Sequence, residues 1–301
     1  MRRPGLPAAV LAPLMFTLFV LNTLLWLVPV YASIFLKLLT LPNTYPRDRA
    51  SALVAWMAEH WMMVNVWCGD HMLGIEWDVR LPPALARDGQ YLIVSNHQTW
   101  NDIYVLMRCF SGRAPFFKFF LKQQLIWVPV LGLAWWGLDY PFMKRYTREQ
   151  IAKRPELRGK DMESTRRACA KYARLPVSVL NFLEGTRFTA DKHERQQSPY
   201  RHLLKPKAGG IAFALTAMGD KLSALLDVTI AYPDGARSLW QFLGGEVRKV
   251  VVEVRRLPIP EGFTSGDYEA DAAFRARVQE WVRSLWVAKD QRLAELLAEE
   301  A

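Results

Sequence analysis

The chain has 301 residues, 51% of them hydrophobic, and a formal net charge of +10 with a pI near 9.6. That length supports an α/β domain with a large core, and that apolar content excludes a disordered chain. Three scattered cysteines, Cys68, Cys109 and Cys169, form no C-x-x-C or His/Cys spacing, so neither a disulfide scaffold nor a metal centre is expected.

From Pro4 to Leu36 no residue carries a formal charge, and the run is bounded by Arg2, Arg3 and Lys37. As one helix it would be about 50 Å long, against a hydrocarbon core of about 30 Å. Three readings stay open. The run is one membrane-spanning helix from about Leu14 to Leu36, a hairpin bent near Pro7, Pro13 and Pro29, or a cleaved signal peptide. The last is disfavoured, because the apolar region is too long for an ordinary signal core and no A-x-A site follows. Ala52 to Cys68 groups Trp56, Met57, Trp61, Met62, Met63 and Trp67 at helical spacing, which suits an interfacial helix or an ordinary core helix. Residues 1–70 are therefore expected to form membrane-anchoring helices, and 71–301 an α/β domain.

Ile75–Leu81 and Tyr91–Ser95 read as strands, the second fully buried. Further on, Lys160–Arg174 predicts a helix ended by Pro176, and Val177–Leu183 a buried strand. Asp191–Pro199 predicts a polar loop over the site, and Gly209–Met218 a helix. Asp227–Tyr232 and Val247–Leu257 predict strands, and Ala270–Glu299 one long amphipathic helix or two. This alternation predicts an α/β fold with a mixed central sheet flanked by helices, behind an N-terminal membrane-embedded helical segment.

The basic excess is concentrated. Lys144 to Arg174 holds eleven Lys/Arg against four Asp/Glu, and Arg187 to Lys207 six against two. Beside a membrane anchor such charge favours anionic headgroups and a cytoplasmic position, and attracts phosphorylated or acidic partners. Nucleic acid is not expected, since no recognition motif is present.

Two short runs carry chemistry. Asn96-His97-Gln98-Thr99-Trp100-Asn101-Asp102 follows the buried strand, and Glu184-Gly185-Thr186-Arg187 follows the next one. Five residues rotate a regular helix by about 500°, so His97 and Asp102 would lie about 140° apart on one helix. They meet if His97 lies in a turn and Asp102 in the first turns of a following helix, with Thr99 or Asn101 as its cap. Asp102 would then hold one ring N–H while the other nitrogen takes a proton from a hydroxyl. No G-x-S-x-G elbow is present, so that hydroxyl belongs to a substrate. Arg187 is a candidate anion clamp. His60, His71, His193 and His202 have no partner at a telling spacing.

These two runs resemble the N-H-x4-D and E-G-T-R blocks of the glycerophospholipid acyltransferase superfamily, in particular its 1-acylglycerol-3-phosphate acyltransferases. Lys122-Gln123-Gln124-Leu125 with Pro129 and Gly132, Gly137 to Arg145, Lys205 to Gly210, and Asp227 to Pro233 resemble the intervening and following blocks. The last is most similar to the lysocardiolipin-type subgroup and its bacterial relatives. Phe142-Met143-Lys144-Arg145 departs from the family's second block, and Val228-Thr229 lacks the proline of its fourth.

The resemblance implies direct acyl transfer from acyl-CoA or acyl carrier protein to the hydroxyl of a lysophospholipid, most readily lysophosphatidic acid, at the inner membrane with the catalytic domain facing the cytoplasm. No cofactor is implied beyond that thioester co-substrate. It makes His97 the base and Asp102 its orienter. Arg187 and Arg145 would hold acceptor phosphate, and a backbone N–H near Lys122 the oxyanion. Asn96, Glu184, Gly185 and Thr186 would also lie at the substrate, Glu184 either binding an acceptor hydroxyl or bracing Arg187. Two other classes remain open: a membrane-anchored lipid or thioester hydrolase using the same pair on water, and a non-catalytic lipid-binding protein.

Overall fold

The computed structural model describes residues 5–41, 44–83, 85–143, 153–154 and 176–300. Arg145, Cys169, the helix expected over Lys160–Arg174 and most of the basic run beginning at Lys144 lie outside the described residues.

Helix α1 (Ala8–Leu38) runs unbroken through Pro13 and Pro29. The chain turns back only after Leu38, into α2 (Tyr45–Met72). Of the readings left open for this run, the structure has the uninterrupted helix and not the hairpin bent near the prolines. Asn22 Nδ2 donates to Asn65 Oδ1 at 2.9 Å and Trp61 Nε1 to Thr23 Oγ1 at 3.1 Å, which makes the two helices antiparallel.

Among the described residues α1 is the one helix long and apolar enough to cross a membrane, and only 22% of its most apolar window is buried. Leu25 and Val28 are more than 70% exposed, an arrangement that suits lipid contact rather than a soluble core. The opposite face is packed. Leu11 and Met15 are wholly buried in the same core as Ile93, Val105 and Phe110 of the α/β domain. Lys37, also fully buried, donates to Gly137 O at 2.7 Å and pairs with Asp139 at 2.6 Å.

The domain is built on a six-stranded sheet in the order β1-β8-β7-β2-β6-β3. These strands are β1 (Glu76–Arg80), β2 (Gln90–Ser95), β3 (Phe117–Lys118), β6 (Val177–Phe182), β7 (Ala224–Ala231) and β8 (Lys249–Leu257). Strand β2 is parallel to both β6 and β7, whereas β7 and β8 are antiparallel, so the sheet is mixed as expected. A small second sheet joins β4 (Leu121–Lys122) to β5 (Phe142–Met143).

The period of two in β2 distributes its side chains between two cores. Tyr91 and Ile93 join α1, α2 and α3 (Asn101–Phe110) on one face. Leu92 and Val94 join α6 (Ala208–Met218) and α8 (Ala272–Ala298) on the other. The single 27-residue α8 settles the choice between one C-terminal helix and two. A short α4 spans Leu131–Gly137. The polar segment expected as a loop folds its first two thirds into α5 (Ala190–Gln196), because the Thr189 side chain accepts from Lys192 N and caps it. Helix α7 (Leu239–Leu243) begins at a Ser238–Gln241 capping box.

Candidate active site

Because β2, β6 and β7 run the same way, their C-terminal ends reach one edge of the sheet, where ligands gather in α/β folds. Ser95 lies beside Phe182 on one side and Val228 on the other. The turn carrying His97, the loop carrying Glu184 to Arg187, and the chain from Tyr232 all leave from that edge.

His97 lies in the turn and Asp102 in the first turn of α3, the arrangement in which this spacing was expected to let them touch. His97 Nδ1 meets Asp102 Oδ2 at 2.8 Å. The carboxylate is fully buried and the imidazole is 15% exposed. Oδ2 also accepts from Gln98 N at 2.6 Å and Thr99 N at 3.0 Å, while Oδ1 accepts from Tyr232 Oη at 2.7 Å. Four donors on a buried carboxylate at a helix N-terminus suit an ionised Asp102, which keeps Nδ1 of His97 protonated. Nε2 makes no hydrogen bond among the described residues, and Phe182 stacks on the ring with centroids 4.0 Å apart.

The expected cap on α3 is absent. Thr99 Oγ1 and Asn101 Nδ2 both donate to Arg237 O, at 2.7 and 2.9 Å, and α3 begins without a side-chain cap.

The second run grips the first through its main chain. Glu184 Oε1 accepts from His97 N at 2.8 Å and Phe188 N donates to His97 O at 2.7 Å. Glu184 Oε2 accepts from Leu204 N at 3.0 Å. Only 1% of Glu184 is exposed, so both oxygens serve the backbone, and Arg187 is not among its partners. Burial pushes its carboxyl up to about 7, more than the two N–H bonds pull it down. Asn96 is likewise spent: it donates to and accepts from Ile230, each at 2.9 Å, and is wholly buried. Both residues were expected at the substrate, yet their polar atoms are turned to the scaffold.

Gly185 has φ +67°, and a Cβ there would stand 3.2 Å from the Lys207 side chain, so glycine meets two demands at once. Arg187 is half-buried with its guanidinium 4.3 Å from the centroid of the exposed Trp100 ring. Lys192 Nζ donates to Thr186 Oγ1 and Arg187 O, which fixes this loop. Lys122 is exposed in the small second sheet, and among the described residues no hydrogen bond joins it to the His97 turn. Sequence reasoning gave no role to Tyr232, Phe182 or Trp100. Tyr232 is 130 residues from Asp102, and only the parallel pairing of β2 with β7 brings them together.

Below Glu184, Lys289 of α8 is completely buried, donating to Val228 O at 2.5 Å and pairing with the equally buried Asp227 at 2.6 Å. Arg255 completes this cluster, 2.7 Å from the other Asp227 oxygen.

A family model described as Acyltransferase matches residues 77–233, just over half of the chain and the whole of this edge. The chain belongs to that acyltransferase family. It is 29% identical over 182 residues to mouse (Mus musculus) 1-acyl-sn-glycerol-3-phosphate acyltransferase gamma, covering 58% of this chain and 44% of the relative. It is 27% identical over 220 residues to Danio rerio lysocardiolipin acyltransferase 1, covering 67% of this chain and 51% of the relative. The chain thus spans about half the length of the curated relatives it matches. Among solved structures, the 1-acyl-sn-glycerophosphate acyltransferase PlsC from Thermotoga maritima superposes with a TM-score of 0.51 at 18% identity. That match covers 92% of this chain and 97% of the other, and it establishes a shared fold.

Proposed function

We propose that this protein transfers an acyl chain from a thioester of coenzyme A or acyl carrier protein to the free hydroxyl of a lysophospholipid, with lysophosphatidic acid as the first acceptor to try. The observation that carries the reading is the His97 Nδ1–Asp102 Oδ2 contact of 2.8 Å with Nε2 left without a partner among the described residues. Nε2 takes the proton of the acceptor hydroxyl as its oxygen attacks the thioester carbon. The C–S bond then breaks, and the imidazolium returns the proton to the departing thiolate. Asp102 stays ionised and stabilises the imidazolium.

Arg187, together with Arg145, holds acceptor phosphate, a task suited to the planar guanidinium. Gly185 and Thr186 shape the loop that carries Arg187, and a main-chain N–H near Lys122 faces the oxyanion. Asn96 and Glu184 act by fixing the turn. The lipid substrates reach the site from the membrane that α1 contacts, which we assign to the inner membrane with the domain on its cytoplasmic side.

The test is thiol release from acyl-CoA by detergent-purified protein, with and without lysophosphatidic acid, for wild type and His97→Ala. Release that needs acceptor and falls at least about a hundredfold in the variant supports the reading. Acceptor-independent release would indicate a hydrolase acting on water, and equal turnover in wild type and variant would refute the role of His97.

A further inference from the structure

A concavity of about 580 Å³ opens beside the Glu184 loop, between residues 199–209 and the N-terminal half of α8. Lys205, Lys207 and Arg283 line it, and no carboxylate does. Glu280 pairs with Arg283 at 2.9 Å from the preceding turn, with both side chains more than 60% exposed, so that pair is weak in water.

Two tyrosines supply aromatic surface. Tyr200 lines one wall, and Tyr268, whose hydroxyl accepts from Gln279, lies against the first turn of α6. A Cβ at Gly209 would stand 3.8 Å from the Tyr268 ring. Helix α6 starts at this wall with no side-chain cap, and Gly209 and Gly210 leave its first-turn N–H groups approachable.

The concavity adjoins the loop that carries Glu184 and Gly185. Lys207 borders it and also lies over Gly185, and Lys207 N donates to Leu183 O at 2.7 Å. One Glu184 side chain joins Leu204 N, at the edge of this wall, to His97 N.

The volume is that of a small-molecule site, far larger than a single phosphate needs. Three cations, an uncapped helix start and two tyrosine rings match a ligand bearing several phosphates and a flat base. The far end of a coenzyme A thioester has that chemistry: an adenine, a ribose 3′-phosphate and a pyrophosphate. We propose that this cleft, formed by Lys205, Lys207, Arg283, Tyr268 and the start of α6, binds the adenosine 3′,5′-bisphosphate end of an acyl-CoA, whose pantetheine arm passes Gly185 to reach His97. The inference rests on the acyl-transfer reading and chooses coenzyme A over acyl carrier protein, which brings no nucleotide to such a cleft.

The experiment is calorimetric titration of coenzyme A and of adenosine 3′,5′-bisphosphate into the full-length protein in detergent, with turnover measured in parallel. The variants are the exposed double reversal Lys205→Glu/Arg283→Glu and, separately, Tyr268→Ala. Wild type is expected to bind both probes. Each variant should weaken both about tenfold or more, with the KM for acyl-CoA rising in step and the KM for lysophosphatidic acid unmoved. Equal affinity in wild type and the double reversal overturns the proposal, and so does a rise in the KM for lysophosphatidic acid alone, which would assign the cleft to acceptor phosphate. The binding readout needs no turnover. Probe binding that depends on the cleft in a protein that transfers no acyl group would therefore uphold this site and refute only the reaction.

Discussion

Tyr232→Phe removes one oxygen and tests the arrangement around Asp102 more sharply than deleting the histidine. Asp102 Oδ1 has a single described donor, the Tyr232 hydroxyl at 2.7 Å, and the carboxylate has no access to water. A hydrogen bond to a charged group contributes about 1.5–3 kcal/mol, and no solvent can replace this one. Two consequences follow from that magnitude. Folding stability falls by about that amount, measurable as a lower urea midpoint with unchanged slope. The carboxylate, held on one side only, also aligns the imidazole less well. If half or more of the lost energy is felt in the transition state, kcat falls by between about 3.5-fold and about 160-fold. Arg187 and its loop are untouched, so the KM for acceptor should stay within about twofold. The assay is acyl transfer at a temperature where both proteins are fully folded. A kcat within twofold of wild type, alongside the expected loss of stability, would show that Tyr232 supports the fold and not the orientation of His97.

Other expectations can be checked the same way. Glu184 has a folded-state carboxyl raised to about 7, against 4.5 when exposed, so the folded chain retains a proton that the unfolded chain releases between those values. Its contribution to stability is complete below pH 4.5 and is lost as pH rises through 7, about 3 kcal/mol in all. Denaturant melts from pH 5 to 8 should display that decline, and Glu184→Gln should flatten it; parallel slopes in the two proteins would refute it. Lys289→Ala leaves Asp227 buried with only Arg255 for compensation and should cost about 3–5 kcal/mol, whereas Lys289→Met in the same melts should cost less. Leu11→Ala should destabilise the whole domain by about 2–5 kcal/mol, while Val28→Ala, at an exposed position on the same helix, should change partitioning into vesicles and leave the melt in place.

How much of this was legible in the sequence depended on distance along the chain. Strand β2 and the His97–Asp102 spacing are local, and the apolar run ending at Ser95 already predicts the turn in which they meet. Helix α1 was visible from its lack of charge, but Pro13 and Pro29 left a bent hairpin open beside the single helix, and packing along one face holds the helix together through both prolines. Thr99 and Asn101 have the composition of caps, yet the loop at Arg237, far off in sequence, claims both side chains. Glu184 and Asn96 lie within recognisable motifs, and nothing in a motif tells whether a side chain faces a ligand or the backbone. Tyr232 and Lys289 were beyond reach for one reason: their partners are set by strand order, which one sequence does not state. Thr189, with an acidic residue in the first turn after it, is the local signal for α5 within a segment whose polarity reads as a loop.

Leu11 and Met15 share a core with the catalytic strands, and Lys37 is locked to Asp139. The lipid-facing helix is therefore a keel and not a leash. A leashed enzyme sweeps a volume above the bilayer and can draw its substrate from any depth within it. On the proposed function, with α1 in the bilayer, His97 is held at a constant height and tilt, and a lipid substrate would arrive by lateral diffusion with its reactive hydroxyl already at that level. Selection among lipids would then begin before any contact with the site, by how far each headgroup stands from the hydrocarbon.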